Sequence, residues 1–263
     1  MPSLHGSAKV GVLIRFANSA GTLPGVLAAL QNQTLRPNVI LGVDSGSQDA
    51  SPSLIKAAGG KVISWPHRYS HARVLNFGLA HLDTGLVLIL SSHTILQSPD
   101  TLARMVEAMH DRRTACVSLK WDNDPFYSDA IDWRELSAKG LKFGSIYSNS
   151  MGMIRRSLWQ RHPFDESLPT AEDYAWAVRQ LHIGHICHRL HLPFHYQRSG
   201  PSRDYEFSRT IFGLARHHRL KVTWFGLRSS LVAWIKSLME GNPSASIHRA
   251  RLAAFCSARL SLT

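Results

Sequence analysis

Three polar residues at the end of an apolar run are the first place in this chain where chemistry can be done. Val87-Leu88-Ile89-Leu90 is of strand type and stops at Ser91-Ser92-His93. Ligands of open α/β sheets bind just beyond the carboxyl ends of strands, so two hydroxyls and an imidazole there are placed to meet one. A second candidate is Pro169-Thr170-Ala171-Glu172-Asp173. It puts two carboxylates at the start of a helical pattern, where the helix end favours negative charge and a carboxylate can act as a base. The spacing Thr170-x-x-Asp173 is equally that of an N-terminal capping box, so cap and base both stand. Asp44 and Ser45, in Val43-Asp44-Ser45-Gly46-Ser47, follow another strand-like run. The carboxylate can accept hydrogen bonds from a base or ribose and Gly46 permits a tight turn, although an ordinary Asx turn uses the same residues. Two guanidiniums complete the set, Arg15 at the end of Val10–Phe16 and Arg73 in Tyr69–Gly78. An arginine fork suits phosphate; a snorkelling edge charge or a solvated helix face is the plainer use of each.

The elements that must position these residues alternate. Strands are expected at Val10–Phe16, Val39–Val43, Lys61–Trp65, Leu86–Leu90 and Ala115–Leu119. Between them lie helices at Thr22–Gln33, from Ser51 to Gly59, at Ser70–Leu82 and at Pro99–His110, with Ser51 as N-cap and Pro52 as the first helical residue. This is the rhythm of βαβ units around a largely parallel sheet flanked by helices. Residues 121–148, rich in aromatic and polar side chains, break the rhythm and read as a functional loop. A strand at Asn149–Ile154, helices at Ser157–Arg161 and Ala171–His182, and a strand at His185–Leu190 follow. From Phe207 the pattern is helical. The expected organisation is an α/β domain over 1–200 and a basic helical region over 201–263.

Composition narrows the classes. A hydrophobic share of 44% without low-complexity tracts implies an ordered globular chain. Three widely spaced cysteines, Cys116, Cys187 and Cys256, argue for a reduced compartment rather than a disulfide framework. No signal peptide and no run of 18 apolar residues is visible, which points to the cytoplasm. Of the formal charge of +12, the segment from Pro201 onward carries +7, from ten basic and three acidic residues. Its Trp224, Phe225, Trp234 and Ile235 beside Arg228 and Lys236 suit the inner face of an anionic membrane, or packing on the domain. No nucleic-acid-binding motif accompanies the charge.

Taken in order, these segments resemble the family-2 glycosyltransferases of GT-A fold, over about residues 9–196. Asp44-Ser45-Gly46-Ser47-Gln48-Asp49 resembles the family's Asp-x-Gly-Ser-x-Asp segment, which implies that Asp44 contacts the nucleotide base, with Arg15 beside the nucleotide. His71, Arg73, Asn76 and Gly78 resemble a His-Gly-x-Ala-x-Asn-x-Gly segment, which implies that Arg73 faces the phosphates. Ser91-Ser92-His93 stands where the family usually has an Asp-x-Asp motif holding Mn²⁺ or Mg²⁺. Hard cations want carboxylate oxygens. The resemblance therefore leaves His93, and His195 after the last core strand, as candidate metal ligands, or a site that works without metal. The triplet is similar to that of a rhamnosyltransferase-like branch. Glu172-Asp173 resembles the family's Glu-Asp motif, which implies Asp173 as general base. The implied activity is inverting transfer from a nucleotide-sugar donor to a glycan or lipid-linked hydroxyl, in bacterial surface-polysaccharide synthesis.

Two other classes compete. A nucleotidyltransferase would want a Gly-rich, Lys- or Arg-bearing loop after the first strand, and Ala17–Thr22 carries neither. A non-catalytic module binding nucleotide-sugars or an anionic membrane would need the basic tail but not the carboxylate pair.

Overall fold

The computed structural model describes residues 9–121, 125–142, 146–197 and 204–222, with isolated positions between 231 and 257. Its first half is a regular alternation: β1 (Val10–Phe16), α1 (Leu23–Gln31), β2 (Val39–Asp44), α2 (Ser51–Ala57), β3 (Lys61–Ser64), α3 (His71–Ala80) and β4 (Leu86–Ser91). These four strands pair in parallel as β3-β2-β1-β4. Arg15 lies opposite Ser91 on β4, and Phe16 opposite Asp44 on β2. The register alone therefore gathers three of the expected residues at one sheet edge.

The second half runs β5 (Thr94–Leu96), α4 (Thr101–Ala108), β6 (Thr114–Leu119), β7 (Ala130–Ile131), α5 (Trp133–Lys139), β8 (Met151–Arg155), α6 (Arg156–Arg161), α7 (Glu172–His182), β9 (Ile186–Leu190), β10 (Phe194–Tyr196) and α8 (Asp204–His218). It extends the sheet to β3-β2-β1-β4-β8-β6-β9-β7. β8 runs antiparallel to both β4 and β6.

The apolar runs are continuous because both sheet faces are covered. Along β4, Val87 and Ile89 enter one hydrophobic cluster while Leu86, Leu88 and Leu90 enter the other, all fully or nearly fully buried. Each such side chain contributes roughly 1.5–3 kcal/mol on removal from water. Helix α3 lies close on the sheet because Gly78 has no side chain. A Cβ there would stand 2.5 Å from Leu13 and 2.8 Å from Val43.

Several details depart from the sequence reading. Ser51 is the first helical residue rather than the cap, and its Oγ accepts from the Ser19 N–H at 2.8 Å, so it serves the neighbouring loop. Residues 121–148 are not wholly irregular. They hold β7 and α5, and α5 starts where the Asp132 side chain accepts from the Glu135 N–H. A separate antiparallel pair, β10 with β5, joins Thr94–Leu96 to Phe194–Tyr196, and three-residue strands are too short to leave a period. Helix α8 packs on α7: Phe207 faces Tyr174 at 6.1 Å, Thr210 Oγ1 donates to the Thr170 carbonyl, and Ile211 and Ala215 enter the core. Of the expected membrane-facing residues, Trp224, Phe225, Arg228, Trp234 and Lys236 lie outside the described residues.

Candidate active site

The carboxyl ends of β1 and β4 open into a cavity of about 370 Å³, the size of small-ligand sites. Arg15 and Ala17 line it from β1 and its loop, Ser91, Ser92 and His93 from β4, Tyr69 and His71 from the start of α3, and Tyr196 from β10.

Arg15 is its centre. Arg15 Nη1 donates to His71 Nδ1 at 2.9 Å and stands 3.8 Å from Glu172 Oε1. Arginine has only donors, so His71 Nδ1 must accept and the ring proton sits on Nε2. The Tyr69 hydroxyl meets the same Nδ1 at 3.1 Å. Burial works against the charge of Arg15, but Tyr69, Glu172 and Asp173 outweigh it and raise its pKa. The site thus holds a permanent cation.

The polar triplet is held from both sides. The Ser91 N–H donates to the Ser150 carbonyl at 3.0 Å, and Ser91 Oγ meets His93 Nε2 at 3.0 Å. His93 Nε2 also lies 3.2 Å from the Tyr196 hydroxyl, with the two rings edge to face at 4.9 Å. Ser92 Oγ meets Ser19 Oγ at 3.0 Å, and the Ser92 carbonyl accepts from Thr22 Oγ1 at 2.7 Å. Burial and the nearby Arg15 lower the pKa of His93, so the ring is neutral near pH 7.

The two carboxylates open α7 after Ala171, which sits in the left-handed region at φ 61°. Such backbone strain in a non-glycine residue is concentrated at functional sites. Thr170 makes no side-chain cap here, and the residue before the helix is Ala171. Glu172 is 4% exposed. Burial, and then Asp173, push its pKa up to about 7, against Arg15 and a hydrogen bond from Asn149. Burial also raises the pKa of Asp173, opposed by the N–H groups of Asn149 and Tyr174, which donate to its two oxygens at 2.9 and 2.7 Å. A carboxylate with a raised pKa beside a cationic cavity can take a proton from a hydroxyl.

The model for glycosyl transferase family 2 matches residues 12–166, more than half of the sequence. The chain belongs to glycosyl transferase family 2. It is similar to the O-antigen chain rhamnosyltransferase RfbN of Salmonella typhimurium, 25% identical over 197 residues, 67% of this chain and 62% of that protein. The chain thus spans less than two thirds of that relative. Among solved structures it resembles the mannosyltransferase PcManGT of Pyrobaculum calidifontis in complex with GDP-Man and Mn²⁺, at TM-score 0.66 and 17% identity, over 97% of this chain and 87% of that one. It also resembles S. aureus TarS 1-349 in complex with UDP, at TM-score 0.60 and 18% identity, over 78% of this chain and 65% of that one. The fold is GT-A.

In this family-2 glycosyltransferase the residues at the end of β4 do not suit a hard cation. Ser91, Ser92 and His93 offer hydroxyls and a neutral imidazole but no carboxylate oxygen. Among the described residues no group of three or more His, Cys, Asp or Glu could hold a metal ion.

The structure sorts the remaining candidates. Arg15, Ser91, Ser92 and His93 line the cavity, and Glu172 joins it through Arg15. Arg73 does not: its side chain is 57% exposed and pairs with Glu166 at 3.5 Å. The cavity residue of that segment is His71, two positions earlier. Asn76 is a structural knot, donating to the Phe164 carbonyl and Glu166 and accepting from Trp159 Nε1 and the Phe164 N–H. Asp44 and Ser45 sit on the adjacent strand end, outside the cavity lining. Asp44 accepts from the Ser47 N–H at 2.9 Å, which makes the turn, and Gly46 takes φ 97°. Loop 44–51 is tied to loop 17–22 by Asp49, which accepts from the Ala20 N–H. His195 is exposed on β10 and alternates with Tyr196, which faces the cavity. Tyr196, His71, Tyr69 and Asn149 are site residues that sequence reasoning missed. Only His71 and Tyr69 had a signal, within the segment assigned to Arg73.

Proposed function

We propose that this glycosyltransferase moves a sugar, rhamnose in the first instance, from a nucleotide-sugar donor to a hydroxyl of a glycan or lipid-linked acceptor, with inversion, in assembly of a bacterial surface polysaccharide. The observation that carries this reading is the bridge from the cavity through Arg15 to Glu172, the neighbour of Asp173. The likeness to RfbN supports the sugar and the glycan acceptor, and the nucleotide-bound structures of similar fold support the donor class.

Asp173 takes the acceptor proton. The freed oxygen attacks the anomeric carbon from the face opposite the leaving group, the new glycosidic bond forms, and the bond to the diphosphate oxygen breaks. The departing diphosphate is met by the Arg15 guanidinium and by neutral donors: the His71 Nε2–H, the His93 ring and the Ser91 and Ser92 hydroxyls. Asp44 and Ser45 hold the base at the neighbouring strand end. Glu172, 3.8 Å from Arg15, holds the guanidinium beside Asp173.

The catalytic unit is residues 1–200 with α8 docked on it, and the tail beyond holds the enzyme to the cytoplasmic face of an anionic membrane. Leu231, Ile235, Leu238 and Met239 are all exposed at helical spacing, Met239 to 83%, in a segment of strongly basic composition. Among the described residues no helix is long and apolar enough to cross a membrane.

The test is transfer by Asp173→Asn. Loss of at least a thousandfold in kcat with donor binding retained is expected; transfer within tenfold of the native enzyme would remove Asp173 as the base.

A further inference from the structure

Asn149 lies two residues before β8, is 1% exposed, and touches both carboxylates of α7. Its backbone N–H donates to Asp173 Oδ2 at 2.9 Å, and its side-chain Nδ2 donates to Glu172 Oε1 at 3.4 Å. The next residue, Ser150, accepts from the Ser91 N–H at 3.0 Å. Two consecutive residues therefore tie the carboxylate pair to the strand end that carries the polar triplet. β8 is the antiparallel strand inserted between β4 and β6, which is why its entry point reaches both α7 and the end of β4.

We propose that Asn149 is the positioning residue of this site: it aims Asp173 through its main chain and anchors Glu172 through its amide, resting on the reading of Asp173 as base. The amide's orientation fits this work. Among the described residues the buried Asn149 Oδ1 has no hydrogen-bond partner, a costly arrangement that leaves Nδ2 turned to the carboxylate. A hydrogen bond donated to the charged form favours it, and for Glu172 the Asn149 bond acts in that direction. The groups facing the pair are Arg15 from β1, Tyr147 from the segment before β8 and Cys116 from β6. Burial pushes Tyr147 and Cys116 up, so both stay neutral in the working range. Arg15, the backbone N–H of Glu172 itself and the Asn149 amide are then the groups that favour an ionised Glu172.

The experiment is the pH profile of kcat/KM for the native enzyme, Asn149→Ala and the nearly isosteric Asn149→Asp. The acidic limb belongs to the coupled Glu172–Asp173 pair. It is expected to move to higher pH by about one unit in Asn149→Ala. In Asn149→Asp, where a third carboxylate joins the pair, it is expected to move further, while Asn149→Ser moves it back toward the native position. An unmoved limb in either folded variant overturns the proposal, as does failure of all three variants to fold, which would make Asn149 a residue of the core only. Full transfer by Asp173→Asn would instead remove the base reading, whatever the limb does.

Discussion

Arg15 Nη1 stands 2.9 Å from His71 Nδ1 and 3.8 Å from Glu172 Oε1, so one guanidinium joins the two halves of the site. On one side are the polar groups that line the cavity, on the other the buried carboxylate that opens α7. The register of β1 against β4 places it there, with Arg15 opposite Ser91.

Arg15→Lys keeps a charge but loses the planar fork that can meet a diphosphate in bidentate fashion. Nucleoside diphosphate binding is expected to weaken about tenfold or more, the scale of a charge-assisted hydrogen bond. Calorimetric titration of the two proteins checks this, and equal affinity would place the diphosphate elsewhere.

Glu172 makes stability depend on pH in a direction opposite to most carboxylates. Its pKa is raised from 4.5 to about 7, so the folded state binds a proton that the unfolded state releases. The folded form benefits fully below about pH 4.5 and loses that benefit as pH rises through 7. Glu172→Gln should therefore raise the melting temperature at pH 8, by an amount corresponding to on the order of 3 kcal/mol. At pH 5 the gain should be much smaller. Thermal denaturation at both pH values decides it.

Much of this site was legible in the chain because strand ends leave a clear mark. An apolar run that stops at Ser91-Ser92-His93, or at Arg15, announces a sheet edge, and parallel pairing then brings those residues together. The carboxylate pair was legible as the opening of a helix. Three things were not. His71 and Arg73 lie two residues apart on α3, 200° around a helix, and the packing of α3, held close by Gly78, turns His71 inward and Arg73 to Glu166. Tyr196 and His195 alternate on a strand too short to show which of them faces in. Asn149 reaches Glu172 and Asp173 across 23 and 24 residues of chain, a distance over which no local pattern speaks.

The tail yields a prediction of its own. Removal of residues 222–263 should weaken sedimentation with vesicles of anionic phospholipid by at least tenfold and leave nucleotide binding unchanged. Undiminished sedimentation would assign the exposed Leu231, Ile235, Leu238 and Met239 another role.

The most direct test of the whole account is calorimetric titration with a panel of nucleotide sugars, dTDP-rhamnose included, in the presence of a chelator and again with Mn²⁺. Binding of one donor with chelator present, lost in Arg15→Ala and little changed by Mn²⁺, is the predicted result. Absence of binding to every nucleotide sugar under both conditions would contradict it, because the cavity between Arg15 and His93 would then not be a donor site.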